Sequence, residues 1–299
     1  MNLLNKLIKK IINYLSQNII NLKIFQNIKR KHNYKNFSII LPFNHSLPQY
    51  QRSFPKYDKI LPIISKYISN NKTIIDVGAN VGDSLAAMVD SNSRSTYLCI
   101  EPEDEFYTYL KKNIKIINKK IPHLKVYSLK ELVGKKIKDA SLNKKNGTAK
   151  ASLINGNIMS KSLDDIIDNN KDIDEVGFIK IDVDGYDYDA LESSLKTIKK
   201  HKPLLFFECY YESVHQKLNY KNIIKKLYKL GYSRWTVFDN FGETIVSTSN
   251  IKIIFNLIDY VWQQNLGKTH RTIYYYDLLA VTDNNKKIET KILNQLNNL

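Results

Sequence analysis

The stretch of sequence that decides the fold is Thr73-Ile-Ile-Asp-Val-Gly-Ala-Asn-Val-Gly-Asp83. Its first five residues form an apolar run rich in β-branched side chains, which predicts a buried strand. Gly78 and Gly82 follow, and a helical pattern begins at Asp83. Glycine lets the backbone turn sharply and lets a ligand approach without meeting a Cβ, and the free amides of a helix start attract anionic groups. The sequence therefore predicts a ligand-binding loop between a strand and a helix.

A second strand ends in a carboxylate, Glu101, which lies 23 residues after Gly78. A carboxylate at that strand tip is placed to accept hydrogen bonds from two ribose hydroxyls. A dinucleotide fingerprint would need glycine at positions 80 and 83, where Asn80 and Asp83 stand. A ligand with a nucleoside, a carboxylate and an ammonium group fits better, and S-adenosylmethionine is such a ligand. We expect Asp76, Asn80 and the backbone at Gly78 to meet its ammonium group; the alternative is a plain strand-to-helix turn.

Apolar strands and helical patterns alternate from residue 71 onward. The predicted strands are Thr73–Val77, Thr96–Ile100, Lys125–Leu129, Phe178–Val183, Leu204–Glu208, Trp235–Phe238 and Tyr274–Val281. The predicted helices are Asp83–Val89, Asp104–Ile117, Tyr186–Lys199 and Val214–Lys229. This alternation is typical of an α/β protein with a doubly wound, mainly parallel sheet. Residues 142–158 are less regular, and we interpret them as an inserted hairpin.

Two carboxylates are predicted at the ends of neighbouring strands, Asp182 on the fourth strand and Glu208 on the next. Ligands bind at such strand ends in open α/β sheets, and paired carboxylates can act as a base, a metal clamp or a grip for a substrate hydroxyl. Asp184 and Asp187 are explained more simply as a helix N-cap and its first-turn acid. His215, seven residues beyond Glu208, is a further candidate base, with an ordinary surface histidine as the alternative.

Several of these segments occur together in a recognisable order. They are Asp76-Val-Gly-Ala-Asn-Val-Gly-Asp83, Ile100-Glu-Pro102, residues 110–113, Ser162-Leu-Asp-Asp165, Ile179-Lys-Ile-Asp-Val-Asp-Gly-Tyr186 and residues 202–208. From about Thr73 to Thr282 the chain resembles the FkbM-type family of S-adenosylmethionine-dependent methyltransferases. The resemblance implies a class I methyltransferase (Rossmann-like) fold with an antiparallel last strand. It also implies O-methylation, often of sugars in glycans or natural products.

The same resemblance assigns roles to individual residues. It implies that the loop Asp76–Asp83, including Asn80 and Gly82, holds the cofactor and that Glu101 binds its ribose. Glu131, which follows the third strand, is our candidate for adenine recognition. The family usually has Glu where this chain has Asp184 and Asp187, and these shorter acids leave a capping role intact.

The net charge of +17 is unevenly distributed. Residues 1–57 contain ten Lys or Arg and no acidic residue, whereas the remaining 242 residues carry only +7. Residues 2–28 have helical periodicity with a basic polar side, which favours either contact with an anionic membrane surface or packing on the domain. We interpret residues 29–57 as a linker or irregular lead-in and residues 58–299 as one methyltransferase domain. The charge is therefore not a nucleic-acid signature, and no nucleic acid is expected as a partner.

Composition excludes several classes of protein. A hydrophobic content of 43% excludes wholesale disorder, and no run of 18 apolar residues predicts a membrane span. The two cysteines, Cys99 and Cys209, cannot form a disulfide framework, so a reducing, cytoplasmic location is expected, with peripheral membrane contact left open. The histidines show no zinc spacing. We commit to no metal, although close approach of Asp182 and Glu208 would favour bound Mg²⁺.

The sequence is compatible with three functions. The first is an O-methyltransferase that acts on a sugar hydroxyl. The second is an RNA methyltransferase, suggested by the net charge and disfavoured by the acidic, proline-free turn after the fourth strand. The third is a membrane-surface interaction protein with a vestigial methyltransferase fold, disfavoured by the intact Gly78, Gly82 and Glu101.

Overall fold

The structure, a computed structural model, describes residues 28–135, 141–145, 148–152, 158–266 and 272–299. The amphipathic helix expected over residues 2–28 lies outside the described residues, apart from Ile28. In the part of the chain that is described, no helix is long and apolar enough to cross a membrane.

The described chain contains fourteen strands, ten α-helices and a short 3₁₀ turn at Asp283–Asn285. The strands are β1 (Lys29–Asn33), β2 (Ser38–Pro42), β3 (Thr73–Val77), β4 (Thr96–Ile100), β5 (Val126–Leu129), β6 (Leu132–Val133), β7 (Ser141–Lys145), β8 (Thr148–Ser152), β9 (Ser160–Lys161), β10 (Val176–Ile181), β11 (Leu204–Cys209), β12 (Arg234–Asp239), β13 (Thr244–Thr248) and β14 (Tyr276–Val281). The helices are α1 (Leu47–Ser53), α2 (Ile60–Lys66), α3 (Asp83–Ser91), α4 (Asp104–Lys120), α5 (Leu163–Asp168), α6 (Asp187–Glu192), α7 (Leu195–His201), α8 (Val214–Lys229), α9 (Ile251–Leu266) and α10 (Lys286–Asn297).

The main sheet has eight strands in the order β13-β12-β14-β11-β10-β3-β4-β5. The five strands from β11 to β5 pair in parallel. Strand β14 is antiparallel to both of its neighbours, β11 and β12. The structure thus confirms the doubly wound, mostly parallel sheet with an antiparallel last strand. The strand order reverses direction between β3 and β10, and ligands bind at such a switch point.

Two apolar cores cover the two faces of this sheet, because alternate residues of each strand point to opposite sides. Ile74 belongs to one core and its neighbour Ile75 to the other. The first core packs under α2, α3, α4 and α10, and the second packs under α5 to α9. Parallel strands buried on both faces are nearly all apolar, which explains the unbroken apolar runs in the sequence.

Residues 29–57 differ from the expected linker. They form the β1–β2 hairpin and helix α1. Phe37, Ile39 and Leu41 alternate along β2 and join the first core with their side chains buried. The side chain of Asn113 on α4 accepts a hydrogen bond from Ile40 N–H at 2.8 Å and donates to the Ile40 carbonyl at 2.9 Å. The segment is therefore part of the packed body, with the alternation typical of a half-buried strand.

Three smaller predictions can also be compared with the structure. The inserted hairpin is confirmed as the antiparallel pair β7–β8. The helix predicted over Tyr186–Lys199 is two helices, α6 and α7, separated at Ser193 and Ser194, whose hydroxyls bond to carbonyls three residues earlier. The fourth strand ends at Ile181, so Asp182 stands directly after the strand.

Candidate functional site

A cavity opens at the carboxyl ends of β3, β4 and β10, at the point where the strand order reverses. Four segments of the sheet edge line it: the loop after β3, the loop after β4, the start of β6, and the end of β10 with the turn that follows it. A fifth wall comes from residues 45–61 of the N-terminal segment. The lining residues are His45, Ser46, Leu47, Tyr57, Asp58, Leu61, Gly78, Asn80, Asp83, Ser84, Glu101, Pro102, Phe106, Leu132, Lys180, Asp182, Val183 and Asp184.

The loop after β3 requires its glycines for packing within the chain. Gly78 has φ +76°, and a Cβ built on it would lie 1.9 Å from the carbonyl oxygen of Asp182. Gly82 has φ +85°, and its Cβ would lie 2.9 Å from Leu110 Cδ1. From the sequence we expected these glycines to let a ligand approach the backbone. The structure gives a different reason, because the space beside Gly78 is occupied by the turn after β10. The loop and that turn are thereby held in contact.

We expect the substitution Gly78→Ala to destabilise the protein by at least about 2 kcal/mol, through left-handed strain and overlap with the Asp182 carbonyl. Gly231→Ala is the matched control, because Gly231 has φ +94° and no atom within 4 Å of the added Cβ. Chemical denaturation of both variants measures the difference. Equal losses in the two variants would contradict the role given to the Gly78–Asp182 contact.

Glu101 lies on the floor of the cavity, only 4% exposed. Its two carboxylate oxygens accept hydrogen bonds from Asn80 N–H at 2.8 Å and from Glu103 N–H at 2.9 Å. Burial raises the pKa of Glu101 to about 7, and the two backbone hydrogen bonds limit that rise. A carboxylate oxygen can accept more than one hydrogen bond, so the fixed side chain retains acceptor capacity for a pair of ligand hydroxyls. The acceptor set thus fits a ribose.

Asp76 does not line the cavity. Its carboxylate is fully buried, receives a hydrogen bond from the Ser84 hydroxyl and pairs with Lys180 Nζ at 3.1 Å. The same ammonium donates to the Gly78 carbonyl at 2.8 Å and lies 3.6 Å from the Asp182 carboxylate. Asp76 therefore acts on the site through Lys180, and the Gly78 carbonyl that we expected at the cofactor ammonium already has a donor.

Lys180 is a site residue that the sequence analysis did not single out. It is 4% exposed, yet it lines the cavity. Burial lowers its pKa, but the adjacent Asp76 and Asp182 outweigh burial and raise the pKa above the ordinary value. The available signal was a lysine inside the apolar strand Val176–Ile181, where a charged residue needs a partner.

The acidic residues of the turn after β10 and of strand β11 fall into two groups. Asp182 and Asp184 line the cavity, and the side chain of Asp182 is 54% exposed. Glu208 is buried, does not line the cavity and pairs in register with Asp277 of β14. Burial, followed by the charges of Asp182 and Asp187, raises the pKa of Glu208 well above its ordinary value. Glu208 therefore lies buried away from the cavity, whereas Asp182 faces the cavity beside Lys180.

The expected capping roles differ in the structure. Helix α6 has Tyr186 at its N-cap with no side-chain cap bond, and Asp184 adopts the left-handed φ of +51°. Asp187 is the first residue of α6, as expected of a first-turn acid, but it is completely buried. The Tyr220 hydroxyl donates to its carboxylate at 3.3 Å. Within the described residues, no group of three or more His, Cys, Asp or Glu is arranged to hold a metal ion.

Two residues proposed from the sequence lie away from the cavity lining. His215 is exposed in the first turn of α8. Glu131 pairs with Lys161 at 2.5 Å, while the next residue, Leu132, lines the cavity. Leu132 and Phe106 instead supply apolar surface beside Glu101, which suits the faces of a base.

Comparison with known proteins gives one family match. The model of the methyltransferase FkbM domain matches residues 76–234. No curated protein matches the chain. The matched range contains the loop after β3, Glu101, Lys180, Asp182 and Glu208, and it excludes residues 45–61 of the cavity wall.

Solved structures share the class I methyltransferase fold at low identity. An FkbM methyltransferase from Methylobacillus flagellatus KT is 16% identical with a TM-score of 0.39, and the match covers 78% of this chain and 58% of that one. A SAM-dependent methyltransferase from Agrobacterium tumefaciens is 6% identical with a TM-score of 0.46, covering 85% and 70%. M. capricolum TrmK, solved with S-adenosyl-homocysteine, is 12% identical with a TM-score of 0.36, covering 75% and 67%. Such distant similarities do not identify the methyl acceptor.

Proposed function

The chain belongs to the FkbM methyltransferase family, which uses S-adenosylmethionine, and from this premise we propose that it methylates a sugar hydroxyl in a glycan, polysaccharide or natural product. The observation that carries the proposal is the arrangement of the two cavity carboxylates. Glu101 is fixed on the floor beside apolar Phe106 and Leu132, and Asp182 stands free to meet an acceptor at the turn after β10.

The charges around the cavity support a neutral acceptor. Among the residues that the structure describes, five acidic side chains line it, whereas Lys180 is the one Lys or Arg on the lining, and it is paired with Asp76. The carboxylates are Asp58, Asp83, Glu101, Asp182 and Asp184. Such a lining disfavours an acceptor that carries phosphates, and it can accept hydrogen bonds from hydroxyl donors. Charge repulsion likewise disfavours an RNA acceptor, whose backbone would bring phosphates to this rim.

The residues of the chain have two tasks in the proposed reaction. The bound cofactor supplies a methyl group already activated on a sulfonium. The cavity must align the acceptor oxygen in line with the carbon–sulfur bond, and alignment can contribute ~7–11 kcal/mol. As the oxygen–carbon bond forms and the carbon–sulfur bond breaks, the hydroxyl proton passes to Asp182. Lys180 fixes the orientation of that carboxylate, because its own position is set by Asp76 and the Gly78 carbonyl.

The proposed function is tested by transfer of the methyl label. Purified protein is incubated with methyl-labelled S-adenosylmethionine and with polysaccharide, glycolipid and RNA fractions from the source cells. We expect label in a carbohydrate fraction, resistant to mild alkali because methyl ethers survive conditions that cleave methyl esters. Label confined to RNA, or released by alkali as methanol, would contradict sugar O-methylation.

The assignment of Glu101 to the ribose predicts a pH dependence for nucleoside binding. Methylthioadenosine is the probe, because it has the nucleoside and the thioether but no amino-acid charges. With a pKa of about 7, the Glu101 carboxyl is mostly protonated at pH 6 and mostly ionised at pH 8. Since the ionised form accepts both hydroxyls, affinity should rise by up to ~10-fold over that interval.

Calorimetric titration at several pH values measures this dependence. Glu101→Gln is the control, because its amide does not titrate and its affinity should stay constant. A wild-type affinity that is flat, or that falls as the pH rises, would contradict the assignment.

A further inference from the structure

One wall of the cavity comes from outside the range of the family match. Tyr57 and Asp58 line the cavity and belong to the segment between α1 and α2. We call residues 54–58 the strap. Asp58 adopts φ +61°, a left-handed conformation that is unusual for a residue with a side chain. Such strained backbone conformations persist only where surrounding contacts hold the residue in place, and they are frequent at functional sites.

The strap is held in place by the turn between β12 and β13. Phe54 stacks on Phe241 with ring centroids 4.1 Å apart, and Lys56 Nζ pairs with Glu243 at 2.7 Å. Gly242 approaches so closely that an added Cβ would lie 2.7 Å from the Lys56 carbonyl oxygen. The strap is thus attached by a ring contact, an ion pair and a close backbone approach.

The turn that holds the strap is itself well ordered by its own hydrogen bonds. The Asp239 carboxylate accepts bonds from Phe241 N–H and Glu243 N–H, both at 2.9 Å. Gly242 N–H donates to the Asp239 carbonyl at 3.0 Å. This hydrogen-bonded turn, which follows β12 at the same edge of the sheet as the cavity, therefore fixes the position of one cavity wall.

The anchor of the strap places Asp58 toward one end of the cavity. In the sheet order, β12 and β10 lie on one side of β3, and Asp182 follows β10, whereas β4, which Glu101 follows, lies on the other side. Burial, together with the carboxylates of Asp83 and Asp182, raises the pKa of Asp58 to about 8. Lys180 lowers this pKa by less than either carboxylate raises it. Asp58 accepts no hydrogen bond from any residue within the described ranges of the chain. It thus lies among like charges on the Asp182 side of the cavity, the end assigned to methyl transfer. A positive charge bound there would offset the repulsion.

We propose that Asp58, positioned by the strap, is a cofactor contact that faces the sulfonium end of S-adenosylmethionine and favours it over the uncharged product. This inference deepens the proposed site and rests on the assignment of Glu101 to the nucleoside. S-adenosylmethionine carries a sulfonium charge that S-adenosyl-homocysteine lacks, while both share the nucleoside, the ammonium and the carboxylate. A carboxylate at the sulfonium end therefore strengthens the binding of S-adenosylmethionine much more than that of S-adenosyl-homocysteine. The weaker binding of the product favours its release.

The test compares the affinities of the two ligands by calorimetric titration at pH 8. Wild-type binding is measured first and tests the cofactor site independently of Asp58. For Asp58→Asn we expect the affinity for S-adenosylmethionine to fall by ~5- to 20-fold and that for S-adenosyl-homocysteine to change less than ~2-fold. Asparagine tolerates left-handed φ, so the backbone of the strap is retained. Equal losses for both ligands, or no loss for either, would overturn the proposal.

Two further variants separate the charge from the fold. Glu175→Gln removes a carboxylate that pairs with Lys72 at the opposite end of the sheet, and it should leave both affinities unchanged. Gly242→Ala displaces the strap, so it should weaken S-adenosylmethionine binding by at least ~3-fold in the wild-type background. In the Asp58→Asn background the same change should add less than ~2-fold. If Gly242→Ala lowers the affinity for S-adenosylmethionine by the same factor in both backgrounds, the strap does not act through Asp58.

Discussion

Replacing Asp182 with asparagine should lower the turnover of methyl transfer by ~10²–10⁴-fold, while the affinity for S-adenosyl-homocysteine, which has no sulfonium charge, changes little. The substitution keeps the shape of the side chain but removes the group that takes the acceptor proton. Asp182 is the suitable carboxylate because it directly follows β10, lines the cavity and is 54% exposed. Labelled methyl transfer at saturating cofactor, with the acceptor found as described above, measures the effect.

Glu208→Gln is the informative comparison for Asp182→Asn. Glu208 is buried and does not line the cavity, and burial raises its pKa well above the ordinary value, so an amide of similar shape disturbs its surroundings little. We expect a much smaller loss of turnover than for Asp182→Asn. A larger loss for Glu208→Gln than for Asp182→Asn would reassign the base to the buried acid group. Glu175→Gln serves as the control for a general effect of removing a carboxylate.

Lys180→Met should destabilise the fold by ~3–5 kcal/mol, because it leaves the fully buried Asp76 carboxylate without its ion-pair partner. Methionine fits the volume of the lysine stem, so the loss reports the missing charge rather than a cavity. The same substitution also frees the Gly78 carbonyl and the Asp182 carboxylate, which Lys180 Nζ contacts at 2.8 Å and 3.6 Å. Denaturant unfolding measures the loss.

Two controls make the Lys180→Met result interpretable. Lys200→Met removes an exposed lysine from α7 and should change the unfolding free energy by less than about 0.5 kcal/mol. Adding Asp76→Asn to Lys180→Met removes the stranded charge and should restore part of the lost stability. If Lys180→Met alone costs less than ~1 kcal/mol, the Asp76–Lys180 pair does not hold the site together.

The local part of the fold was predictable because its signals are local. The apolar runs Thr73–Val77 and Thr96–Ile100 are strands with the predicted bounds, and α8 spans Val214–Lys229 as expected. Each of these elements has its own periodicity and its own boundary signals. Strand β13 and helix α9 were not predicted. For β13 the reason is that it pairs only with β12 at the sheet edge and its residues are largely exposed, so it lacks an apolar pattern.

The site was predictable only where one motif supplies both the residue and its position. Glu101 was found because it ends a strand at a fixed distance from Gly78. Lys180 was missed because periodicity treats it as one polar residue in a buried strand, whereas its role depends on Asp76, which lies 104 positions earlier in the chain. Asp58 was missed for the same reason, because its position depends on contacts between the strap and a turn near residue 241.

We propose that the cavity holding Glu101 and Asp182 is the cofactor site, and calorimetric titration of the 299-residue chain with S-adenosylmethionine is the most direct test. We expect saturable binding at one site per chain. Glu101→Ala should lower the affinity by at least ~100-fold, which corresponds to about 2.7 kcal/mol of binding free energy. No binding to the wild type at about 1 mM cofactor, the upper end of ordinary KM values, would contradict it. So would an affinity for Glu101→Ala equal to that of the wild type.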